Sequence, residues 1–380
     1  MNDIAKIACN CYDKKSISRI VIALKGSGDS LVAGNSNLHM SRADKTDEFY
    51  TQLSLIENEL KHYKKHFEGK VVFCNCDDPF ESNFFKYFAI NFNTLGLRKL
   101  IATCYATSPI LFTQLNLLED DRRGQTESSE KKPYKIEITE VTDENHDGRV
   151  DLADVEFLLR SHKNALTLLN GDGDFRSPEC VSLLKQSDIV VTNPPFSLFR
   201  EYMAQLMDHG KDFIIIGNQN AITYREIFPL IRDNKVWLGY NNGHFWFKVP
   251  DTYEVKSTDF KIDKDGQKWR RMGNICWFTN LDIEKRHEDM TLFREYSQEL
   301  YPTYDDYDAI EVNRTADIPC NYYGFIGVPI TFMQYYNPNQ FNILGLDDHR
   351  VDWVGHGPKL KGKTLYRRVI IQRTLQERIN

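Results

Sequence analysis

The residues of this chain whose types and spacing point most directly at chemistry are Asp188-Ile-Val-Val-Thr-Asn-Pro-Pro-Phe196. A branched apolar run, the pattern of a buried strand, leads into Asn193-Pro194-Pro195-Phe196, and a helical pattern follows. An amine conjugated to an aromatic ring is a weak nucleophile because its lone pair is delocalised. A turn of this composition answers that difficulty. The Asn193 side-chain oxygen and the Pro194 carbonyl can each accept one N–H, which aims the nitrogen lone pair at an incoming methyl group. The prolines hold φ near −65° and stiffen the turn, while Phe196 offers a flat ring for a base to stack on. A base inside a duplex has to be flipped out to reach such a turn. The motif does not single out its acceptor: similar turns serve RNA guanine N2 amines and protein glutamine amides. Prolines that simply stop a sheet would have the same letters.

Several elements must position this turn. Ser54 and Glu57 have capping-box spacing, and Ile56, Leu60, Tyr63 and Phe67 behind them share one helical face. Lys70–Asn75 and Lys99–Tyr105 have strand patterns, with helical character over Phe84–Ile90. Asp188–Thr192 and Asp212–Gly217 are further strands, each followed by a helical pattern, Leu198–Met207 and Ile222–Arg232. This alternation predicts an α/β fold with a mainly parallel sheet covered on both faces, which binds ligands at the carboxyl ends of its strands. Residues 1–42 are rich in Gly, Ser and Asn and suggest a weakly ordered extension; Gly26-Ser-Gly28 lacks the spacing of a phosphate cradle. The alternation stops near Arg286. The expected organisation is an extension over 1–42, a catalytic domain over 43–285 with an insertion around 119–165, and a smaller region over 286–380.

The chain resembles the EcoRI-type adenine-specific DNA methyltransferases. The matching stretches are Asp47–Gln52, Ile56–Leu60, Val71–Pro79, Ser82–Phe88, Gly171–Ser177 and Asp188–Tyr202, with weaker matches to about residue 345. The resemblance implies a Rossmann-like fold that uses S-adenosyl-L-methionine to methylate the N6 amine of a flipped adenine in a specific double-stranded DNA sequence, within a restriction-modification system. It makes Asn193, Pro194, Pro195 and Phe196 the catalytic turn. It also implies that Tyr50 and Thr51 close over the methionine end of the cofactor. The loop after the first strand, with Cys74, Asn75, Asp77 and Asp78, would contact the cofactor, although most methyltransferases carry a glycine-rich F-x-G-x-G there. Asp174 would accept from the cofactor adenine amine and Phe175 would stack on it. No catalytic metal is implied. Methylation of a purine amine in RNA, or a DNA-binding relative whose catalysis has lapsed, are the alternatives.

Composition sets further bounds. The chain has 380 residues, 41% apolar and 27% charged, enough to bury a substantial core. No apolar run approaches the roughly 18 residues of a membrane span, and no secretory pattern opens the chain, so a cytoplasmic protein acting as a monomer is expected. The eight cysteines lack zinc-site spacing and suit reduced thiols. The net charge is −6, yet Lys359–Arg378 carries seven basic residues against Glu377, a local balance of +6 that suits phosphate contact. Two aromatic-basic stretches, one containing Trp246 and the other spanning Lys268–Arg271, suit nucleic acid equally with a buried strand edge. His244 is expected to be structural. Asp143–Asp154 has calcium-loop spacing, but Asp154 stands at the last position in place of Glu and a strand pattern precedes it; a plain turn between strand and helix is expected.

Overall fold

The computed structural model describes residues 51–374 apart from 77, 78, 80, 81, 105–132, 145, 147, 152, 156, 158–165, 250–258 and 348–356, all within the unit Asp47–Asn380. The extension expected over 1–42 and most of the insertion around 119–165 lie outside the described residues. Helices α1 (Leu53–Leu60) and α2 (Lys64–Phe67) lead into strand β1 (Val71–Cys74). Ile56, Leu60, Tyr63 and Phe67 are all fully buried, as their spacing predicted. The capping box is not formed. Gln52 is the N-cap and makes no side-chain cap bond, and Ser54 lies inside the first turn on the exposed face. The helix starts early because Asn83 Nδ2 holds the Thr51 carbonyl at 2.7 Å, fixing the chain immediately before it.

Next come α3 (Asn83–Ile90), capped by Ser82 accepting from the Phe85 amide, and strands β2 (Lys99–Thr103), β3 (Tyr134–Ile138) and β4 (Thr167–Leu168). Helix α4 (Pro178–Gln186) has Ser177 as its cap and Pro178 in its first turn, a start that needs no amide from the proline. Strand β5 (Ile189–Thr192) precedes α5 (Phe199–Asp208), and β6 (Asp212–Asn218) follows. The single helix expected over Ile222–Arg232 is two pieces, a 3-10 turn at Gln219–Thr223 and α6 (Phe228–Arg232). Pro229 is the reason: it suits a first helical turn but not a helix interior.

Strands β7 (Trp237–Lys248), β8 (Phe260–Ile262) and β9 (Lys268–Thr279) complete a nine-stranded sheet of order β4-β3-β2-β1-β5-β6-β9-β7, with β8 on β9. The central strands β2, β1, β5 and β6 are parallel, while β3, β4, β9, β7 and β8 pair antiparallel. Alternation along each central strand feeds two layers. Val72, Val191 and Ile214 pack with α1 and α3 on one face; Phe73, Val190 and Ile215 pack with α4, α5 and α6 on the other. The second layer also holds the smaller sheet β10 (Ala309–Glu311), β11 (Phe325–Val328), β12 (Phe341–Asp347) and β15 (Arg368–Arg373), in the order β10-β11-β15-β12. The hairpin β13 (Lys359–Leu360) and β14 (Lys363–Thr364) precedes its last strand.

That last strand corrects the expectation of phosphate contact for the arginines in and beside it, Arg367, Arg368 and Arg373. Arg368 is buried, and its guanidinium is bound to Glu311 at 2.6 Å while Glu311 also accepts from Tyr304. Arg367 donates to Thr223 Oγ1, and Arg373 donates to the Cys320 carbonyl. These arginines stitch the smaller sheet together and to its neighbours because β15 is a central strand, with Val369, Ile370 and Ile371 fully buried between them.

Candidate active site

β1 is flanked by β2 on one side and β5 on the other, so successive crossovers leave it in opposite directions. A crevice opens outside the carboxyl ends at such a switch point, and here those ends carry Asn75, Cys104 and Asn193. The Asp188 carboxylate seats the base of β5, accepting from the Val71 amide at 2.8 Å and from Arg98 at 3.0 Å. At the other end Thr192 donates its hydroxyl to the Asn75 carbonyl. The chain then turns through Asn193-Pro194-Pro195, and the Leu198 amide closes on the Pro195 carbonyl at 3.0 Å. Pro194 is buried; Asn193, Pro195 and Phe196 are partly exposed, and Phe196 packs against the core layer that holds α1 and α3. The helix behind them is seated by Phe199, which packs on Phe278 at 5.0 Å. Gly217 makes that approach possible, since a Cβ there would lie 2.6 Å from the Phe199 ring.

Asn75 is buried, and its side-chain oxygen faces inward, accepting from the Tyr202 hydroxyl. Tyr202 is itself fully buried on α5 and meets the Phe175 ring edge-on at 5.0 Å. Burial pushes its phenol well above the ordinary range, so it stays protonated and keeps donating. Cys76 follows with φ +75, a left-handed backbone in which glycine is usual. The loop therefore keeps a glycine-type turn although no glycine is present. Cys74 packs into the core and presents no open surface. Tyr50, Asp77 and Asp78 lie outside the described residues.

Thr51 sits beside the N-terminus of α3, its carbonyl held by Asn83. Its hydroxyl oxygen is buried, with no hydrogen-bond partner among the described residues. Leaving such a group unsatisfied costs about 1–3 kcal/mol, so the position suits a polar group brought by a ligand. The Gly171–Ser177 loop approaches from the third side. Gly173, at φ +76, passes so close to Cys104 that a Cβ would lie 2.1 Å from its carbonyl oxygen, and Gln205 of α5 donates to the Phe175 carbonyl at 3.0 Å. The Asp174 carboxylate is gripped by Arg176, with Nε at 2.9 Å and Nη2 at 2.7 Å. That contact, reinforced by the Arg176 amide, holds the Asp174 carboxyl below its usual value. The Phe175 ring is mostly buried, with the Arg176 guanidinium 5.2 Å from its centroid.

The turn, Asn75, Thr51 and the Asp174 loop are thus tied to the same edge of the sheet. Tyr202, Thr192, Gly173 and, for Thr51, Asn83 do the tying, and sequence reasoning did not single them out. The available signal was that they lie in the matching stretches Ser82–Phe88, Gly171–Ser177 and Asp188–Tyr202. In the Asp143–Asp154 loop, both carboxylate oxygens of Asp154 accept backbone amides, from Glu144 and Asp151 at 2.9 Å each, and Asp143 accepts from Gly148 at 2.7 Å. These bonds build a turn.

Comparison with known proteins shows the family. The family model for the adenine-specific methyltransferase EcoRI matches residues 37–374. The chain is 44% identical to the type II methyltransferase M.EcoRI of Escherichia coli over 90% of its own length and 97% of that relative. It is 36% identical to M.MgeORF184P of Mycoplasma genitalium, over 80% of this chain and 85% of the relative. For M.MpnI of Mycoplasma pneumoniae the figures are 35%, 86% and 95%. No solved structure gives a significant match. Among the described residues no helix is long and apolar enough to cross a membrane. The chain belongs to the EcoRI family of adenine-specific methyltransferases.

Proposed function

We propose that the chain methylates the N6 amine of an adenine flipped out of a specific double-stranded DNA sequence, with S-adenosyl-L-methionine as methyl donor, as the modification arm of a restriction-modification system. The observation that carries this reading is the Asn193-Pro194-Pro195-Phe196 turn at the carboxyl end of β5, hydrogen-bonded through Thr192 to Asn75 at the end of β1. The donor supplies an electrophilic methyl group on a sulfonium sulfur. Asn193 Oδ1 and the Pro194 carbonyl accept the two amine N–H groups and hold the nitrogen lone pair toward the switch-point crevice. Phe196 stacks on the base. Preorganised acceptors of this kind act on charge that develops only during transfer, when the amine becomes cationic. The proton is then lost from the methylated nitrogen, so no side chain of raised basicity is needed.

The residues around the crevice suit the donor. The buried Thr51 hydroxyl, with no partner among the described residues, suits contact with its methionine end. Asp174 Oδ2 accepts one donor from Arg176, and a second lone pair on that oxygen suits an adenine amine. The Phe175 ring must exchange its Arg176 cover for the adenine if it stacks.

The test is incubation with S-adenosyl-L-methionine tritiated on the methyl group, together with duplex DNA, total RNA or neither. Label in DNA, recovered as N6-methyladenine after nuclease digestion, is the expected result. Label in RNA alone would move the substrate to RNA, and no label in either would mark a lapsed enzyme.

A further inference from the structure

The antiparallel end of the large sheet does more than complete it. Pairing of β9 with β6 ends at Asn218↔Ile275, yet β9 begins at Lys268. Seven residues of β9 therefore run past the carboxyl end of β6, a reach of about 23 Å at ordinary strand rise. They carry β7 and β8 with them, through the pairs Trp246↔Arg271 and Lys261↔Trp269. This three-stranded arm overhangs the same edge from which Asn193 leaves β5. One face of it is anchored, since Phe245 and Phe247 are buried in the core and Phe260 packs against it. Alternation sends Trp246, Lys261, Trp269 and Arg271 to the other face.

On that face the Lys261 ammonium lies 4.5 Å from the Trp246 ring centroid and 5.6 Å from that of Trp269. Among the described residues, the two carboxylates flanking it in sequence are engaged elsewhere. Asp263 accepts the Trp269 indole N–H at 2.8 Å and the amides of Asp265 and Gln267, although its field reaches Lys261. Asp259 is bound to Arg271 at 2.6 Å. Lys261 is therefore an exposed cation held in place by two indole rings and joined by an ion pair to no carboxylate among the described residues. On a chain of net charge −6, that is an unusual arrangement on the catalytic edge.

We propose that this arm is a clamp for duplex DNA, in which Lys261, held between Trp246 and Trp269, binds a backbone phosphate beside the flipped adenine. The proposal rests on the reading of the chain as a duplex DNA methyltransferase. The indoles remove much of the freedom of a long flexible side chain before binding, and a phosphate supplies the ion-pair partner that no described carboxylate does. Such a contact positions the duplex without reading its sequence.

The test compares wild type with Lys261→Gln and Trp246→Ala in titrations against cognate and random duplexes over a range of salt. One phosphate contact contributes about 0.9 to the slope of log affinity against log salt. Lys261→Gln should reduce the slope by about that much and weaken binding about eightfold at 0.1 M salt, equally on both duplexes. Trp246→Ala should keep the slope and weaken binding by less. Melting temperature and donor affinity should stay at wild-type values. Unchanged affinity and slope in Lys261→Gln, with a wild type that binds and methylates duplex, overturn the arm alone. Lost site preference at unchanged slope overturns it in favour of base readout. A wild type that binds no duplex overturns this proposal and the proposed function together.

Discussion

At the level of single side chains, the proposed reaction relies on fixed acceptors and not on titrating groups. Asn193→Ala should lower the methylation rate at least ~100-fold, the scale seen when one preorganised polar group is removed, with duplex binding retained; single-turnover kinetics beside a binding assay checks both. Tyr202→Phe deletes the hydroxyl that holds Asn75. It should cost about 1 kcal/mol in stability and, if the loop after β1 holds the donor as proposed, raise KM for the donor more than it lowers kcat, because it loosens that loop and leaves the turn intact. Unchanged donor KM would make Tyr202 a packing residue only. Asp174 has a folded-state pKa below its ordinary 3.8, chiefly through Arg176. The stabilisation it provides is full above that value and is lost as pH falls through the lowered pKa. Melting curves of wild type and Asp174→Asn should therefore differ most above pH 4 and converge below it.

Among the elements, two buried charged sites do unlike jobs. Glu59 on α1 accepts from the Tyr240 and Asn241 amides at 2.7 Å each, from Asn241 Nδ2 and from the Tyr63 hydroxyl, which pins the first helix to the far edge strand β7. Desolvation raises its carboxyl above the ordinary value. Arg368 and Glu311 instead join β15 to β10 across the smaller sheet. Arg368→Met should destabilise by about 3–5 kcal/mol, because it strands a buried carboxylate, whereas adding Glu311→Leu should recover much of that loss. Chemical denaturation of both variants decides the matter. A phosphate-binding Arg368 would instead leave stability unchanged and weaken DNA binding.

Across the molecule, the smaller sheet shares a core with the catalytic layer. Ile310, Val312, Ile326, Val328, Phe341 and Val369 pack in one cluster with Ile222, Phe228 and Ile231. A chain ending at residue 285 should leave that face open to water and fail to give a soluble, cooperatively folded protein, and the full chain should unfold over residues 51–374 in one transition. Two separated transitions in calorimetry would contradict this. The large sheet meanwhile divides its labour: parallel strands build the crevice, while the antiparallel strands carry an arm past it.

How much of this was written in the local sequence follows from the range over which each feature acts. The buried strands, the face formed by Ile56, Leu60, Tyr63 and Phe67, and the Asn-Pro-Pro-Phe turn are all set by residues within one window, where apolar period and proline geometry are legible. The break at Pro229 was local as well, and only the apolar period around it concealed it. Other features depend on pairing between distant segments. Nothing near Arg368 shows that β15 is a central strand and will bury it, nor does anything near Tyr202 show that its hydroxyl meets a residue 127 positions earlier. The seven residues by which β9 overruns β6 exist only as a register between two strands. Side-chain period is a property of one segment, whereas strand order, register and the burial of a charge belong to contacts that the chain makes only when folded.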